Sequence, residues 1–299
     1  MAEKLRGVFT AVITPFKKNQ DIDYGKFKEL IDFQLDNGIS GIVPCGTTGE
    51  SPTLTGDEQK KLIELTVKHV NGRGKVIAGT GSNSTHHSIE MTKFAKKAGA
   101  DYAMLVNPYY NKPTQKGLYL HFKAVADAVD IPIVVYNIKG RTAVNVETPT
   151  LVKLMKDCRN IIGVKEASGD LEQMKSVIKS RKPGFSVLSG DDNMTLDLIK
   201  AGGDGIISVA SNLIPDRMVG MVNAALDGRL KEAEKMNHDL GDFFKACFIE
   251  TNPIPIKTAV AMQGKCEEVF RLPMCTMEDA NRKKLKQVLE TMGLLKKSA

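Results

Sequence analysis

Residues 160–169 read NIIGVKEASG, an apolar run that ends at Lys165 and passes into a loop of small and polar residues. The run has the composition of a buried β-strand, and strands disfavour lysine. A buried ammonium group must find a partner or lose its proton, and a neutral lysine amine attacks carbonyl groups to form a Schiff base. The plainer alternative is a lysine at a strand edge, with its stem buried and its charged head in water.

The same pattern recurs along the chain: a short β-branched run, a loop, and then an amphipathic helix. Candidate strands begin near Val8, Gly41, Lys75, Tyr102, Ile133, Ile161, Phe185 and Gly205. Helical periodicity lies between them, over residues 24–37, 84–98, 118–129, 148–157 and 193–201. Residues 55–58, TGDE, form a capping box at the start of a further helix. The pattern therefore indicates eight consecutive βα units.

Eight such units, with strands apolar on both faces, predict an α/β fold of the closed (β/α)8 TIM barrel type. The alternative, an open doubly wound sheet, favours a glycine-rich phosphate-binding turn after the first strand, and residues 12–16, VITPF, do not form one. The later sequence is helical in pattern, over residues 230–248, 255–263 and 277–292. We therefore predict a barrel domain over residues 1–228 and a C-terminal three-helix domain over residues 229–299. Residues 251–255, TNPIP, are expected to separate two of its helices.

The composition is typical of a globular protein with a large core, since 42% of the 299 residues are hydrophobic and 26% are charged. No apolar run approaches the roughly 18 residues of a membrane helix, and the N-terminus lacks the apolar stretch of a signal peptide, so we expect a cytoplasmic protein. The five cysteines are scattered, and we expect reduced thiols. The net charge is +7, but Lys and Arg are dispersed among Asp and Glu. That distribution disfavours nucleic-acid binding and is compatible with anionic substrates.

The loops at the carboxyl ends of the predicted strands carry reactive side chains, and in such barrels the chemistry lies on those loops. They are residues 46–51 (GTTGES), 107–113 (NPYYNKP), 136–142 (YNIKGRT), Lys165, 189–192 (SGDD) and Ser208. Each has a plainer interpretation, because Gly and Thr are common in turns, adjacent tyrosines often pack at interfaces, and an arginine often forms a surface ion pair. Their position on one rim favours a shared functional site.

Several of these motifs together resemble the dihydrodipicolinate synthase and N-acetylneuraminate lyase family of Schiff-base aldolases. The motifs are residues 46–50, 107–113, 136–137, 163–167 and 250–255 (ETNPIP), and the resemblance runs from about Gly7 to the last helix. The pairs Thr47-Thr48 and Arg141-Thr142 resemble the synthase branch of the family rather than the sialic acid lyases. The resemblance implies that the chain condenses pyruvate with L-aspartate 4-semialdehyde in lysine and diaminopimelate biosynthesis.

The resemblance also implies a role for each motif residue. Lys165 would form a Schiff base with pyruvate, and protons would be relayed by Tyr136, Thr47 and Tyr110. Substrate-binding residues would be Thr48 for the pyruvate carboxylate, Arg141 for the semialdehyde carboxylate, the Ile207 carbonyl group, and Gly190. Tyr110 would enter a neighbouring subunit's site in a homo-oligomer, either a dimer or a dimer of dimers. No cofactor is implied, and the histidines and cysteines lack the spacing of metal ligands.

Two departures from the family pattern bear on specificity and regulation. Residues 138–141, IKGR, lack the proline that most synthases have in this loop, so we expect a freer loop around Arg141. Lysine-sensitive members bind lysine at a subunit interface through imidazole and carboxylate groups. Those places hold Gly56, Gln59 and His87 in this chain, although Ser51, Asn83 and Tyr109 remain. Because a carboxylate partner for the inhibitor is missing, we expect lysine inhibition to be weak or absent.

Two other functions fit the same residues. One is a pyruvate-dependent aldolase or lyase of the same family that acts on a 2-keto-3-deoxy sugar acid, and comparing turnover of the two substrate classes would distinguish it. The other is a catalytically silent family member that acts as a binding or regulatory protein. The mark of a silent member would be loss of the lysine or the tyrosine, and the sequence retains both Lys165 and Tyr136.

Overall fold

The computed structural model describes residues 4–296 and contains a closed barrel of eight parallel strands. The strands are β1 (Gly7–Ala11), β2 (Gly41–Val43), β3 (Lys75–Gly79), β4 (Tyr102–Val106), β5 (Ile133–Asn137), β6 (Ile161–Glu166), β7 (Ser186–Ser189) and β8 (Gly205–Ser208). Neighbours in sequence pair along the barrel, and β8 closes it by pairing with β1. The predicted TIM barrel is confirmed. Residues 1–3 and 297–299 of the two predicted domains lie outside the described residues.

The helices within residues 4–296 alternate with the strands and then continue after the barrel. They are α1 (Tyr24–Asp36), α2 (Gly56–Val70), α3 (Thr85–Ala98), α4 (Gln115–Ala128), α5 (Lys139–Thr142), α6 (Thr148–Asp157), α7 (Leu171–Ser180), α8 (Thr195–Lys200), α9 (Pro215–Leu226), α10 (Leu230–Ala246), α11 (Ile254–Met262) and α12 (Asp279–Thr291).

Side-chain caps set where several helices begin. Thr55 and Glu58 form the predicted capping box of α2, in which each side chain bonds the other residue's backbone N–H. The helix α4 begins at Gln115 rather than at Leu118, because the Thr114 hydroxyl caps its first turn. The helix predicted over residues 193–201 begins instead as a short 3-10 turn, Asp192–Met194, before α8.

Within residues 4–296, apolar side chains form two buried clusters, one inside the barrel and a larger one between the strands and the surrounding helices. Phe9, Val43, Leu188 and Ile207 belong to the inner cluster. Because both faces of each strand are covered, the strands read as continuous apolar runs rather than as alternating ones. The inner cluster also includes Tyr136, whose strand ends where the polar residues of the site begin.

Of the three helices after the barrel, α10 packs against α9 and α12, and α11 packs against α12. Their segment also reaches back to the loop between β2 and α2. Lys257 of α11 forms a 2.6 Å ion pair with Glu50 of that loop, and both residues are almost fully buried. Arg271 donates to both carboxylate oxygens of Glu58 at 2.7 and 2.6 Å. The predicted helices are present, while the division into domains at residue 228 stays a prediction.

None of the helices within residues 4–296 has both the length and the apolar character needed to cross a bilayer. All five cysteines lie in the same range, and their thiols are unpaired. No group of three or more His, Cys, Asp or Glu side chains that could hold a metal ion occurs among these described residues.

Candidate active site

Lys165 lies at the carboxyl end of the barrel, where β6 pairs with β5 on one side and with β7 on the other. The residue is only 4% exposed, and its Nζ lies 4.1 Å from the ring centroid of Tyr136. Burial lowers the pKa of the Lys165 amine to about 7, a shift that the Asp192 carboxylate opposes and the Arg141 guanidinium reinforces. Much of the amine is therefore uncharged near neutral pH and able to act as a nucleophile.

Tyr136 is the direct partner of Lys165 in the pairing of β5 with β6, so the two side chains enter the barrel side by side. Burial raises the pKa of the Tyr136 phenol to about 12, and the nearby Arg141 charge and a hydrogen bond with Thr47 only partly offset that effect. The phenol therefore keeps its proton at neutral pH and can donate it to a reacting atom. The fold thus brings Thr47 and Tyr136 together with Lys165.

The loop between β2 and α2 is folded by its own backbone. The N–H groups of Gly49 and Ser51 both donate to the carbonyl oxygen of Gly46. A Cβ atom at Gly49 would lie 3.1 Å from a carbonyl oxygen just beyond β1, so the loop lies tightly against that strand end. This turn buries Thr48 and leaves Thr47 on the wall of a cavity.

Arg141 lies on α5, a single helical turn, rather than on the freer loop expected from the missing proline. The backbone N–H groups of Arg141 and Thr142 both donate to the Ile138 carbonyl oxygen and close this turn. Arg141 Nη2 donates to the backbone oxygen of Asn252 at 2.9 Å, and Asn252 Nδ2 donates to the Thr48 hydroxyl at 3.1 Å. Thr48 and Arg141 are therefore connected through one residue of the C-terminal segment.

Gly190 packs directly against the Lys165 side chain. A Cβ atom at position 190 would lie 3.0 Å from Lys165 Cε and 2.7 Å from Ala167 Cβ. The Gly190 N–H donates to the Glu166 carbonyl oxygen, which holds the two strand ends together. Ile207 is fully buried in the barrel interior. Gly190, which has no side chain, thus leaves room for the aliphatic part of the Lys165 side chain.

We expect Gly190→Ala to lower kcat/KM by about ten- to a hundredfold, because displacing a reacting group by about 1 Å has costs of this order. The added methyl group would be too close to Lys165 and Ala167 unless one of them moved. Steady-state kinetics would measure the loss. The matched control is Gly241→Ala on α10, where an added Cβ meets nothing within 4 Å. Equal kcat/KM values for the two variants would contradict the prediction.

Asp192 is a further candidate site residue, for which the sequence predicts no role. Its buried carboxylate accepts a 2.5 Å hydrogen bond from the Ser208 hydroxyl and two more from the N–H groups of Val209 and Ala210. Burial raises the pKa of Asp192 to about 6, although these three donors act in the opposite direction. The SGDD loop is recognisable in the sequence, but its two aspartates are not distinguishable there. Asp192 is distinguished by its hydrogen bonds to residues at the end of β8, which form only when β7 and β8 lie side by side.

A network of buried polar groups holds the ends of β4, β5 and β6 together. Asn137 Oδ1 accepts from Asn107 Nδ2 at 2.8 Å, and Asn137 Nδ2 donates to both Glu166 carboxylate oxygens at 3.2 Å. The Ser168 N–H also donates to Glu166 at 2.8 Å. Because successive side chains on a strand point to opposite faces, Glu166 faces away from Lys165. The network therefore fixes the backbone from which the Lys165 side chain projects.

A cavity of about 300 Å³ opens beside these residues. Its walls include Thr47, Tyr136 and Arg141, together with Ser51, Gln59, His87 and Tyr109 from the positions that resemble a lysine-binding site. Thr48, Lys165, Gly190 and Ile207 do not line it. Tyr110 is 90% exposed and also lies outside the cavity wall. The fold of residues 4–296 in one chain thus brings together Lys165, Tyr136 and Thr47 but leaves Tyr110, the fourth predicted catalytic residue, apart from them.

Comparison with known proteins places this geometry among enzymes of one family. Residues 4–292 match the dihydrodipicolinate synthetase family. A 4-hydroxy-tetrahydrodipicolinate synthase from Endomicrobium trichonymphae is 55% identical over 290 residues, covering 97% of this chain and 99% of that protein. The crystal structure of dihydrodipicolinate synthase from Aquifex aeolicus is 49% identical, with a TM-score of 0.96 and coverage of 98% of this chain and 100% of that one. A variant described as the first monomeric dihydrodipicolinate synthase is 42% identical, with a TM-score of 0.95 and coverage of 97% and 98%.

Proposed function

The chain belongs to the dihydrodipicolinate synthetase family, and we propose that it condenses pyruvate with L-aspartate 4-semialdehyde, the reaction of 4-hydroxy-tetrahydrodipicolinate synthase. The enzyme is a lyase of the Schiff-base aldolase type, and its reaction belongs to lysine and diaminopimelate biosynthesis. The observation that carries the mechanism is the buried Lys165 amine, whose lowered pKa and contact with Tyr136 suit attack on a keto acid.

The first half of the reaction forms an imine between Lys165 and pyruvate. The uncharged amine attacks the ketone carbon, and the resulting carbinolamine loses its oxygen as water to give a protonated imine. The imine nitrogen withdraws electrons, so a proton leaves the pyruvate methyl group. The electron pair of that C–H bond then forms the double bond of an enamine.

In the second half, the enamine carbon attacks the aldehyde carbon of the semialdehyde, and the new alkoxide takes up a proton. The semialdehyde amino group then displaces Lys165 from the imine carbon, which closes a six-membered ring and frees the lysine. Tyr136 is suited to give and retake these protons, because a pKa of about 12 keeps its proton in place until a strong base forms beside it. Thr47 and Tyr110 are assigned as the relay between Tyr136 and water.

The carboxylates of the two substrates are assigned to different donors. The Thr48 hydroxyl and nearby backbone N–H groups would bind the pyruvate carboxylate, and the Arg141 guanidinium would bind the semialdehyde carboxylate bidentately. The Ile207 carbonyl group and Gly190 would border the bound keto acid. The net charge of +7 favours the approach of the pyruvate anion.

Borohydride reduction in the presence of pyruvate, followed by peptide mapping, tests the reaction class and the residue together. A pyruvate-derived adduct on Lys165 is the expected result, and an adduct elsewhere would refute the mechanism. Turnover of L-aspartate 4-semialdehyde is then compared with turnover of 2-keto-3-deoxy sugar acids. Trapping of pyruvate with preference for a sugar acid would retain the chemistry and overturn the substrate assignment.

The rate of imine formation is expected to rise through about pH 7 and to level off above it, because only the uncharged Lys165 amine attacks. The sign follows from the lowered pKa: the amine loses its proton well below the usual lysine value of 10.5. Cyanoborohydride trapping of pyruvate at a series of pH values measures this. Asp192→Asn should move the inflection to lower pH, because the Asp192 carboxylate raises the Lys165 pKa in the wild-type protein and its removal lowers that pKa. An inflection near pH 10.5 would contradict the prediction.

A homo-oligomer, either a dimer or a homotetramer built as a dimer of dimers, is part of this proposal. The support is the 90% exposed Tyr110, which belongs to a predicted catalytic relay and yet lies outside the cavity of its own chain. A tyrosine in that position completes a site only if a second copy receives it.

Co-expression of Tyr110→Phe and Lys165→Ala subunits is expected to restore activity that neither variant has alone. In a mixed dimer, one site combines an intact Lys165 with an intact Tyr110 from its neighbour. Random pairing makes about a quarter of all sites complete in this way, so roughly a quarter of the wild-type kcat is expected. Analytical ultracentrifugation would report the assembly. No recovery in a mixed oligomer would show that Tyr110 does not cross between subunits.

Two further expectations from the sequence stay predictions. The cytoplasmic location is one of them. Weak or absent inhibition by lysine is the other, and its support is that Gln59 and His87, rather than a carboxylate, line the cavity beside Ser51 and Tyr109.

A further inference from the structure

Asn252 connects the two residues assigned to the substrate carboxylates. Its side-chain Nδ2 donates to the Thr48 hydroxyl at 3.1 Å, and its backbone oxygen accepts from Arg141 Nη2 at 2.9 Å. Asn252 is itself only 4% exposed. Thr48 lies on the loop after β2, whereas Arg141 lies on α5, which follows β5. A single residue from beyond the barrel therefore contacts both halves of the proposed binding site.

The segment around Asn252 is anchored on both sides. On its N-terminal side, the Glu250 carboxylate accepts from the Glu278 N–H at 3.0 Å and from Asn281 Nδ2 at 2.9 Å. On its C-terminal side, α11 begins at Ile254 and carries Lys257, whose Nζ forms the buried 2.6 Å pair with Glu50. These contacts hold the backbone segment that carries Asn252 in place.

The Lys257–Glu50 pair also anchors the partner that Asn252 contacts. Glu50 stands two residues after Thr48, in the same loop. The Arg271 N–H donates to the second Glu50 oxygen at 3.3 Å. Asn252 and Thr48 are therefore held to each other both directly and through the ion pair between α11 and the β2–α2 loop.

The direction of the Asn252–Thr48 hydrogen bond gives it chemical consequences. The amide N–H₂ group can only donate, so the Thr48 oxygen accepts and its own proton remains available for another acceptor. A hydroxyl in this state is suited to donate to a carboxylate. We propose that Asn252 is a positioning residue that makes Thr48 a donor to the keto-acid carboxylate, while its backbone oxygen holds Arg141. This inference rests on the proposed function, because it assumes a keto acid bound at Lys165.

Two substitutions separate this role from simple packing. Asn252→Ala removes the donor. Asn252→Asp preserves the shape of the side chain but replaces the donor with a carboxylate. The carboxylate would accept a hydrogen bond from the Thr48 hydroxyl, which could then no longer donate to the substrate, and it would repel the substrate anion. The expected order of half-saturating pyruvate is therefore wild type, then Ala, then Asp. A residue needed only for packing would give the opposite order for the two variants, since Asp fills the same space as Asn.

The measurement is the pyruvate concentration that half-saturates borohydride trapping at Lys165, without aldehyde present. Asn252→Ala is expected to raise it about tenfold, the effect of losing one buried hydrogen bond, and Asn252→Asp to raise it further. The KM for the aldehyde should change by less than about threefold, because the backbone oxygen that Arg141 contacts is retained. The matched control is Asn237→Asp on α10, which changes a partly buried asparagine outside the cavity wall and should leave both values unchanged.

A double-mutant cycle keeps the inference testable if Asn252→Asp does not fold. In a Thr48→Val background, Asn252→Ala should raise half-saturating pyruvate by less than about twofold, because the hydroxyl through which it acts is gone. A full tenfold increase in that background, or wild-type pyruvate dependence in Asn252→Asp, would overturn the inference. Failure of the wild-type protein to be trapped by pyruvate would instead overturn the proposed function, so the two failures are distinguishable.

Discussion

Lys165→Ala is expected to reduce turnover by at least about a thousandfold and to abolish the pyruvate adduct, because the only nucleophile assigned to the reaction is removed. The protein should remain folded. A buried amine with a lowered pKa costs free energy of folding, so its removal should leave the free energy of unfolding unchanged or increased. Steady-state kinetics, mass spectrometry after borohydride treatment and chemical unfolding would together measure these three quantities.

Lys165→Arg provides the matched control for charge. Arginine retains a long cationic side chain but cannot lose its proton under these conditions and cannot form the imine. It should therefore be as inactive as Lys165→Ala. Activity within about tenfold of wild type in either variant would refute the Schiff-base mechanism at this residue.

Lys257→Met is expected to lower the free energy of unfolding by about 3–5 kcal/mol, because it leaves the Glu50 carboxylate buried without its partner. Both side chains of the pair are at most 1% exposed, and the Lys257 amine also lies 4.0 Å from the ring centroid of Phe16. The shift of the urea unfolding midpoint measures the loss. Adding Glu50→Gln to Lys257→Met should recover much of it, since no unpaired charge then remains. Equal stability of the single and double variants would contradict this account.

Lys165 and Lys257 are both buried lysines whose pKa burial lowers, yet their surroundings assign them different roles. Lys257 has a carboxylate at 2.6 Å, which acts against the shift and favours the charged form. Lys165 faces the Tyr136 ring, and the nearby Asp192 charge is already engaged by three hydrogen-bond donors. Of the two lysines, Lys165 is the one that lies against Tyr136, a residue of the cavity wall. Selective trapping at Lys165 is the expected consequence.

The features that the sequence predicts well are those with a local signal. Each strand is a short apolar run, each loop after it is marked by glycine and hydroxyl residues, and the capping box of α2 is visible in four letters. Lys165 was identifiable because a lysine is unexpected at the end of a buried strand. The start of α4 was misplaced because the Thr114 cap lies outside the apolar period that defined the helix.

The features that the sequence does not predict depend on contacts between distant parts of the chain. Asn252 lies within the ETNPIP motif, but its partners Thr48 and Arg141 lie 204 and 111 residues away. The pairing of Lys257 with Glu50 spans 207 residues. No periodic pattern records such pairs. The helical turn α5 also depends on such a distant contact. Arg141 is held by a hydrogen bond to Asn252 rather than by a proline in its own loop.

The attachment of α11 to the β2–α2 loop has a consequence for protein synthesis. Every strand of the barrel precedes residue 209, whereas Asn252, Lys257 and Arg271 leave the ribosome afterwards. A nascent chain that has completed its eight strands still has Glu50 without its cation and Thr48 without its amide partner. Catalytic competence is therefore acquired only as translation nears its end, and a prematurely terminated polypeptide would carry the reactive lysine without the geometry to use it.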